Sequence, residues 1–260
     1  MYQPYYNFLK KRFQPDKHNM KLFSKVDQRK LASFVGLFAT GLPMVLFLGS
    51  FFTCICFHES ISHFYYSVIF GDLFIGILIF ISIFLFAYRG DNQWENRLAT
   101  LVGIATIIVA LIPTSGSGCY EEFFTGRVFA TGELNGSKLN NPSTTFELAS
   151  HAQTTHNTAA LILFFMLALF SFLVFPRIKC CQIKDNKLQN AKKNRNLIYI
   201  VSGIIIVISI ATIVINTLFV ESDLWNEWKL TFWFETAALW AFGISWLLKG
   251  RFCFFSCLRD

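Results

Sequence analysis

Apolar runs as long as a membrane is thick recur along this sequence. A helix needs about 20 mostly apolar residues to cross roughly 30 Å of hydrocarbon, and in lipid its backbone must satisfy its own hydrogen bonds. The 260-residue chain is 54% hydrophobic and 15% charged, more apolar than a soluble domain of this size. Six runs reach or approach the required length, at about 31–57, 64–88, 98–114, 157–175, 197–220 and 230–248. We therefore predict an all-α fold, a polytopic membrane bundle of six transmembrane helices.

The positive charges predict how these spans are oriented. Of the 23 lysines and arginines, 20 fall on one side of the six spans. They lie in four places: the arm 1–30, the loop near 89–97, the loop 176–196 and the tail after 248. The other side has Arg127, Lys138 and Lys229. Because loops rich in lysine and arginine stay in the cytoplasm, both termini are predicted to be cytoplasmic.

This topology divides the chain into three predicted parts. A basic cytoplasmic arm covers 1–30, the six-span domain with its external loop 115–150 covers 31–250, and a cytoplasmic tail covers 251–260. The net charge of +7 is then a topology signal and an attraction to lipid, not a nucleic-acid surface. The expected partners are membrane lipid and, through the arm and the loop 176–196, anionic lipids of the inner leaflet. The oligomeric state stays open.

Two carboxylates fall inside predicted spans. Asp72 lies in SVIFGDLFIGILIF and Glu235 in LTFWFETAALW, roughly 12 Å and 8 Å from the outer ends of their spans at a rise of 1.5 Å per residue. A charge in hydrocarbon costs on the order of 2.5–3.5 kcal/mol, so such residues usually face a cavity or a partner. The alternative for Asp72 is a buried polar link that fixes helix packing. For Glu235 the alternatives are contact with the membrane interface or an ion pair with Lys229.

Histidines gather at the same predicted end. Of the five in the chain, four map to the outer ends of spans one, two and four: His58, His63, His151 and His156. Taken singly, they are most often interfacial residues with ordinary hydrogen bonds. Their coincidence with two buried acids predicts an outward-facing polar pocket lined by spans two, four and six.

The first hypothesis is a protein that binds or handles a lipid headgroup or another small ligand in this pocket. On a straight helix Tyr65 and Asp72 share a face with Ile69 and Gly76, because these positions are spaced by four, three and four. The predicted ligand-binding residues are therefore Tyr65, Asp72, His156 and Glu235.

The second hypothesis is a metal-dependent intramembrane hydrolase that acts on lipid amides or esters. His63, His151 and His156 would hold zinc, while Asp72 or Glu235 would act as the catalytic group that orients or deprotonates the attacking water. A third hypothesis is a structural or partner subunit that uses the loop 115–150 as its contact surface. Whether the protein is an enzyme stays open, as does the binding of any metal.

The external cysteines leave a disulfide open. Cys119 lies in the loop 115–150 and could meet Cys54 or Cys56 at the outer end of span one. The spacing does not choose between the two pairings.

Spans two to four resemble a group of bacterial six-helix membrane proteins classed as a domain of unknown function. The similarity lies in ISHFYYSVIFGDLFIGILIFISIFLFAYRG, LATLVGIATIIVALIPT and HNTAALILFFMLALFSFLVF, with the Asp-x3-Gly of DLFIG, the proline that ends span three and the histidine that opens span four. This resemblance implies an integral protein of the bacterial cytoplasmic membrane and carries no established activity.

An acid and several histidines at the mouth of a helical bundle are also similar to the superfamily of alkaline ceramidases and adiponectin-receptor-like membrane hydrolases. That resemblance implies a zinc ion held by histidines, two of them in a His-x3-His motif on the last span. The present sequence departs from the pattern, since it has no His-x3-His and no histidine in span six.

Overall fold

The computed structural model describes nine stretches of the chain. They are residues 28–53, 55–90, 92–112, 114, 151–177, 183–184, 187–188, 190–220 and 223–250. The external loop 115–150, the tail 251–260 and almost all of the basic arm lie outside the described residues. What the sequence predicts for these three segments, including the arm's contact with anionic lipid, therefore stays a prediction.

Apart from connecting turns and one short β-hairpin with two residues in each strand, the described residues are helical. Its α-helices are α1 Gln28–Phe52, α2 Val68–Ala87, α3 Gln93–Leu111, α4 Ala152–Leu169, α5 Asn190–Ile215, α6 Asp223–Glu227 and α7 Leu230–Gly250. A 3₁₀ helix, Ile61–Tyr66, precedes α2, and π-helical turns extend α4 over Phe170–Val174 and α5 over Asn216–Val220. The antiparallel hairpin pairs β1 Ile183–Lys184 with β2 Lys187–Leu188.

Five of the described helices are long and apolar enough to cross a membrane. They cover Gln28–Phe52, Ile69–Ala87, Gln93–Leu111, Ala152–Val174 and Lys192–Val220. These helices make the chain a membrane protein, as the apolar runs predict. The sixth long helix, α7, has 21 residues and so measures about 31 Å, but it is not one of the five helices that meet both the length and the hydropathy expected of a span. A sixth span therefore stays a prediction.

The observed helices begin or end several residues away from the predicted spans. The first span is predicted to reach residue 57, but α1 ends at Phe52. The third is predicted to begin at 98, but α3 begins at Gln93, because the Asn92 side chain caps it and accepts a hydrogen bond from the Glu95 backbone N–H at 3.0 Å. Capping by a polar side chain extends a helix beyond its apolar run.

The six long helices form a closed ring in which each packs against its neighbours in the chain. Consecutive helices from α1 to α5 contact one another, and α7 closes the ring by packing against both α5 and α1. The side chain of Trp246 on α7 is completely buried. Its indole meets aromatic rings of three helices and the segments after them, with centroids 5.0–6.1 Å away: Phe84, Tyr88, Phe170, Phe175 and Phe242. This aromatic cluster fills the ring near the last turns of α2, α4 and α7.

Glycines bring α1 and α7 into close contact. A Cβ atom placed on Gly36 would lie 2.6 Å from the carbonyl oxygen of Gly243 and 2.7 Å from the backbone nitrogen of Leu247. The Trp240 indole N–H also donates to the Thr40 carbonyl at 3.0 Å. Small residues at helix crossings allow such close approach in membranes, where the packing of backbones replaces the hydrophobic effect as the force for association.

We expect Gly36→Ala to separate α1 from α7, because the obstructing atoms belong to the backbone of α7 and cannot rotate away. Overpacking of this kind costs about 1–3 kcal/mol. The matched control is Gly41→Ala on the same helix, where no atom lies within 4 Å of the new Cβ. The midpoint of heat unfolding in detergent should fall for the first variant and stay at or above wild type for the second. Equal midpoints would contradict the α1–α7 contact.

Candidate functional site

The end of the bundle that carries His58, His63 and His156 is called the histidine end here. After α1 the chain turns through residues 55–60 and forms the 3₁₀ helix Ile61–Tyr66. Four of the six side chains of this helix are buried, including both tyrosines. The segment therefore packs into the mouth of the helical ring.

Glu235 on α7 binds the start of the 3₁₀ helix. Its Oε2 lies 2.8 Å from the Ser60 hydroxyl and accepts a hydrogen bond from the Ile61 backbone N–H at 2.7 Å. Ser60 is the N-cap of the helix, and its Oγ also accepts from the Ser62 backbone N–H at 3.1 Å. Glu235 thus satisfies a donor that the helix start would otherwise leave unpaired. It makes no ion pair with Lys229, although the structure describes both residues.

His156 on α4 links the same helix to the end of α3. Its Nδ1 lies 2.6 Å from the Ile112 carbonyl oxygen, and its Nε2 lies 3.1 Å from the Ser62 hydroxyl. A carbonyl oxygen can only accept, so Nδ1 carries the hydrogen and donates it, while Nε2 of the neutral ring accepts from Ser62. Both ring nitrogens are occupied, and the imidazole is 3% exposed. His156 therefore acts as a cross-link between helices.

The two tyrosines of the 3₁₀ helix complete the end of α3. The Tyr65 hydroxyl donates to the Leu111 carbonyl at 3.1 Å, and the Tyr66 hydroxyl donates to the Thr114 carbonyl at 2.9 Å. The last carbonyls of a helix have no partner within the helix and need an external donor. Tyr65, a predicted ligand-binding residue, is placed by the structure on a backbone carbonyl.

His63 presents a polar atom at this end that the hydrogen-bond network does not use, as does Thr236 through its Oγ1. Its Nδ1 is buried and has no hydrogen-bond partner among the described residues. Burial, followed by the nearby His58, His156 and Lys229, lowers the pKa of His63 from 6.5 to about 3. The ring is therefore neutral at physiological pH. Buried polar atoms in native proteins are almost always paired, so this one calls for an explanation.

Asp72 lies on a different surface from His63 and His156, and its role in the predicted outward-facing pocket stays a prediction. It is exposed on α2, on the same face as Ile69, which is 68% exposed, and Gly76. The core face of α2 carries Phe74, which is 2% exposed. Tyr65 is buried and does not share the face of Asp72, because it belongs to the 3₁₀ helix and Ser67 separates that helix from α2. Tyr65 and Asp72 would share a face only if one straight α-helix ran through both segments.

The predicted zinc ligands do not form a set. His151 is exposed and has a left-handed backbone (φ 66°) just before α4. Both ring nitrogens of His156 are already hydrogen-bonded to Ile112 and Ser62. Within the described stretches, no group of three His, Cys, Asp or Glu side chains is arranged to hold a metal ion. The geometry therefore gives the proposed triad of His63, His151 and His156 no support.

Two serines make several of the hydrogen bonds at the histidine end, and neither is among the site residues predicted from the sequence. Ser60 contacts Glu235 and Ser62 contacts His156, across separations of 175 and 94 residues along the chain. The signal that could have pointed to them is local: the polar stretch HESISH directly precedes an apolar run, which is typical of a helix start.

Cys56 is disulfide-bonded. Its partner lies outside the described residues, as do Cys54 and Cys119.

Comparison with protein-family models, curated proteins and solved structures finds no match to this chain. The two family resemblances seen in the sequence therefore stay predictions.

We expect Ser60 and Glu235 to be energetically coupled, because removing either leaves a buried partner without its hydrogen bond. A double-mutant cycle of Ser60→Ala and Glu235→Ala should give a coupling energy of about 1–2 kcal/mol in the free energy of unfolding. Glu59→Ala is the matched control, since Glu59 contributes its carbonyl to the Phe232 backbone N–H at 2.8 Å. Additive effects of the two substitutions would show that the Glu235 contact is not formed.

His63 should make the protein less stable as the pH falls. The folded state keeps this ring neutral down to about pH 3, whereas the unfolded chain takes up a proton near pH 6.5. Stability is therefore present above pH 6.5 and is lost as the pH falls below it, by about 2 kcal/mol between pH 7 and 5. Unfolding midpoints in one detergent should show a steeper loss over this range for wild type than for His63→Gln. Parallel profiles would mean that His63 is not held neutral.

Proposed function

We propose that this chain is an integral membrane protein that binds the polar headgroup of a lipid at its histidine end, with His63 as the contacting residue. The observation that carries the proposal is the buried Nδ1 of His63, which has no hydrogen-bond partner among the described residues. A ligand atom at this position would supply the missing hydrogen bond.

The chemistry of the site favours binding over proton transfer. A histidine whose pKa is about 3 is a poor base and is unprotonated at pH 7, so it serves neither as general base nor as general acid. A neutral imidazole nitrogen can still accept a hydrogen bond from an ammonium or hydroxyl group. Lys229 lies close enough to affect the charge of this ring and offers a cation for a phosphate. A zwitterionic headgroup such as phosphoethanolamine matches both groups.

The other predicted site residues have a positioning role in this proposal. His156 and Glu235 fix the 3₁₀ helix from α4 and α7, and Tyr65 fixes it from the end of α3. The helix that carries His63 is thereby held before any ligand arrives, which lowers the entropy lost on binding. Asp72 stands on the exposed face of α2 and has no assigned role.

The proposal includes six spans, with α7 as the sixth, and two cytoplasmic termini in a bacterial cytoplasmic membrane. The contacts of α7 with α1 and α5 support its place among the spanning helices. The disulfide of Cys56 supports a histidine end outside the cytoplasm, in agreement with the distribution of lysine and arginine.

Binding of phosphatidylethanolamine to the full chain in detergent, measured by native mass spectrometry, tests the proposal. His63→Ala should weaken binding about tenfold, which corresponds to the loss of one buried hydrogen bond of about 1.4 kcal/mol. His151→Ala is the matched control, because that histidine is exposed.

His63→Gln provides a second comparison, since its amide can still accept a hydrogen bond in nearly the same volume. It should bind more tightly than His63→Ala. Binding equal to wild type in a well-folded His63→Ala protein would refute the proposal.

A further inference from the structure

A lysine without an acidic partner lies at the turn between α6 and α7. Lys229 is half-buried, and its ammonium lies 5.5 Å from the centroid of the Phe57 ring. Among the described residues, no oxygen accepts a hydrogen bond from this ammonium and no carboxylate pairs with it. An ammonium has three donor hydrogens, and a charge withdrawn from water needs a partner. Lys229 therefore offers an unused cation to an anionic group.

The backbone fixes the position of this lysine. Lys229 has a left-handed conformation (φ 52°), which is uncommon for a residue with a side chain and persists where the surrounding structure enforces it. Its N–H donates to the Asn226 carbonyl at 3.1 Å, and the Phe232 N–H donates to the Glu59 carbonyl at 2.8 Å. The turn is thereby held against the segment that leads into the 3₁₀ helix.

Aromatic rings of α1, α7 and the segment after α1 form a continuous surface beside this ammonium. The Phe47 ring lies at its centre, with centroids 4.9–5.3 Å from three other rings: Phe51, Phe57 and Trp233. We call these four residues the aromatic surface. Phe51 is 67% exposed and Trp233 is 41% exposed. An unused cation thus borders exposed apolar rings, an arrangement that matches a phospholipid, in which a phosphate adjoins acyl chains.

Lys229 also lies near the histidine of the proposed headgroup site. After burial, His58 and His156, the charge of Lys229 lowers the pKa of His63. The two groups are therefore within electrostatic reach of each other, at the same end of the bundle.

We propose that Lys229 binds the phosphate of the lipid whose headgroup reaches His63, and that the acyl chains of this lipid lie along the aromatic surface. This inference rests on the proposed function, which assigns the headgroup donor to His63. Phosphate oxygens accept charge-assisted hydrogen bonds from an ammonium. The two residues then recognise different parts of the headgroup. Lys229 recognises the phosphate that all phospholipids share, and His63 recognises the N–H that phosphoethanolamine has and phosphocholine lacks.

Binding of phosphatidylethanolamine and phosphatidylcholine to the full chain in detergent, measured by native mass spectrometry, separates the two residues. Lys229→Asn should weaken the binding of both lipids about fivefold, because each carries a phosphate. Asparagine is chosen because it accepts a left-handed backbone. His63→Ala should weaken the binding of phosphatidylethanolamine more than that of phosphatidylcholine.

The outcomes distinguish this inference from the proposed function. Loss of phosphatidylethanolamine by His63→Ala, with wild-type binding of both lipids by a folded Lys229→Asn protein, would overturn the inference and leave the proposed function standing. Loss by Lys229→Asn alone would support the phosphate contact and refute the role of His63.

Two further lysine variants separate a local contact from an effect of net charge. Lys229→Arg should bind both lipids like wild type, because the guanidinium keeps the charge and the donors. Lys193→Gln removes the same charge from an exposed side chain of α5 and should leave binding unchanged. Equal losses in Lys193→Gln and Lys229→Asn would overturn the contact.

Glycerophosphoethanolamine, which has the headgroup and no acyl chains, tests the aromatic surface. Phe51→Ala should weaken the binding of phosphatidylethanolamine about threefold and leave that of glycerophosphoethanolamine unchanged. Phe165→Ala is the matched control, since Phe165 is 57% exposed on α4. Equal retention of phosphatidylethanolamine by the two variants would overturn the acyl contact. Glycerophosphoethanolamine that binds as tightly as the lipid would also overturn it and identify a soluble phosphate ester as the ligand.

Discussion

Hydrogen bonds between the 3₁₀ helix and the ends of three longer helices hold the histidine end together. Glu235 binds the start of the 3₁₀ helix from α7, and His156 binds it from α4. Tyr65 of the 3₁₀ helix binds the last carbonyl of α3, that of Leu111. Every one of these groups would be costly to leave unpaired beside hydrocarbon, where no water can replace the partner. The polar residues at this end are therefore mutually dependent, and their first role is to fix the geometry of the chain.

That use of polar residues changes how the histidines are interpreted. A histidine that donates from one nitrogen and accepts at the other, as His156 does, has completed its hydrogen bonds within the protein. His63 differs from it by a buried nitrogen without a hydrogen-bond partner among the described residues. This contrast between two neighbouring histidines is the basis of the ligand-binding proposal.

The two ends of the bundle differ in the kind of charge that they bury. At the histidine end Glu235 accepts hydrogen bonds from the start of the 3₁₀ helix. At the opposite end Arg177 pairs with Glu95, and Lys192 donates to the Phe175 carbonyl.

Run length in the sequence determined the class of the fold and the positions of its helices, because an apolar stretch of about 20 residues has one stable arrangement in lipid. Because successive spans run in opposite directions, the sequence also placed histidines and a carboxylate at one end of the bundle. Which side chains face one another was decided only by the tertiary structure. The partners of Glu235 and His156 lie far away in sequence. The 3₁₀ helix before α2 also changes which side chains share a face with Asp72. Sequence spacing fixes neighbours along one regular helix, but contacts between helices depend on how each helix is rotated and where it is capped.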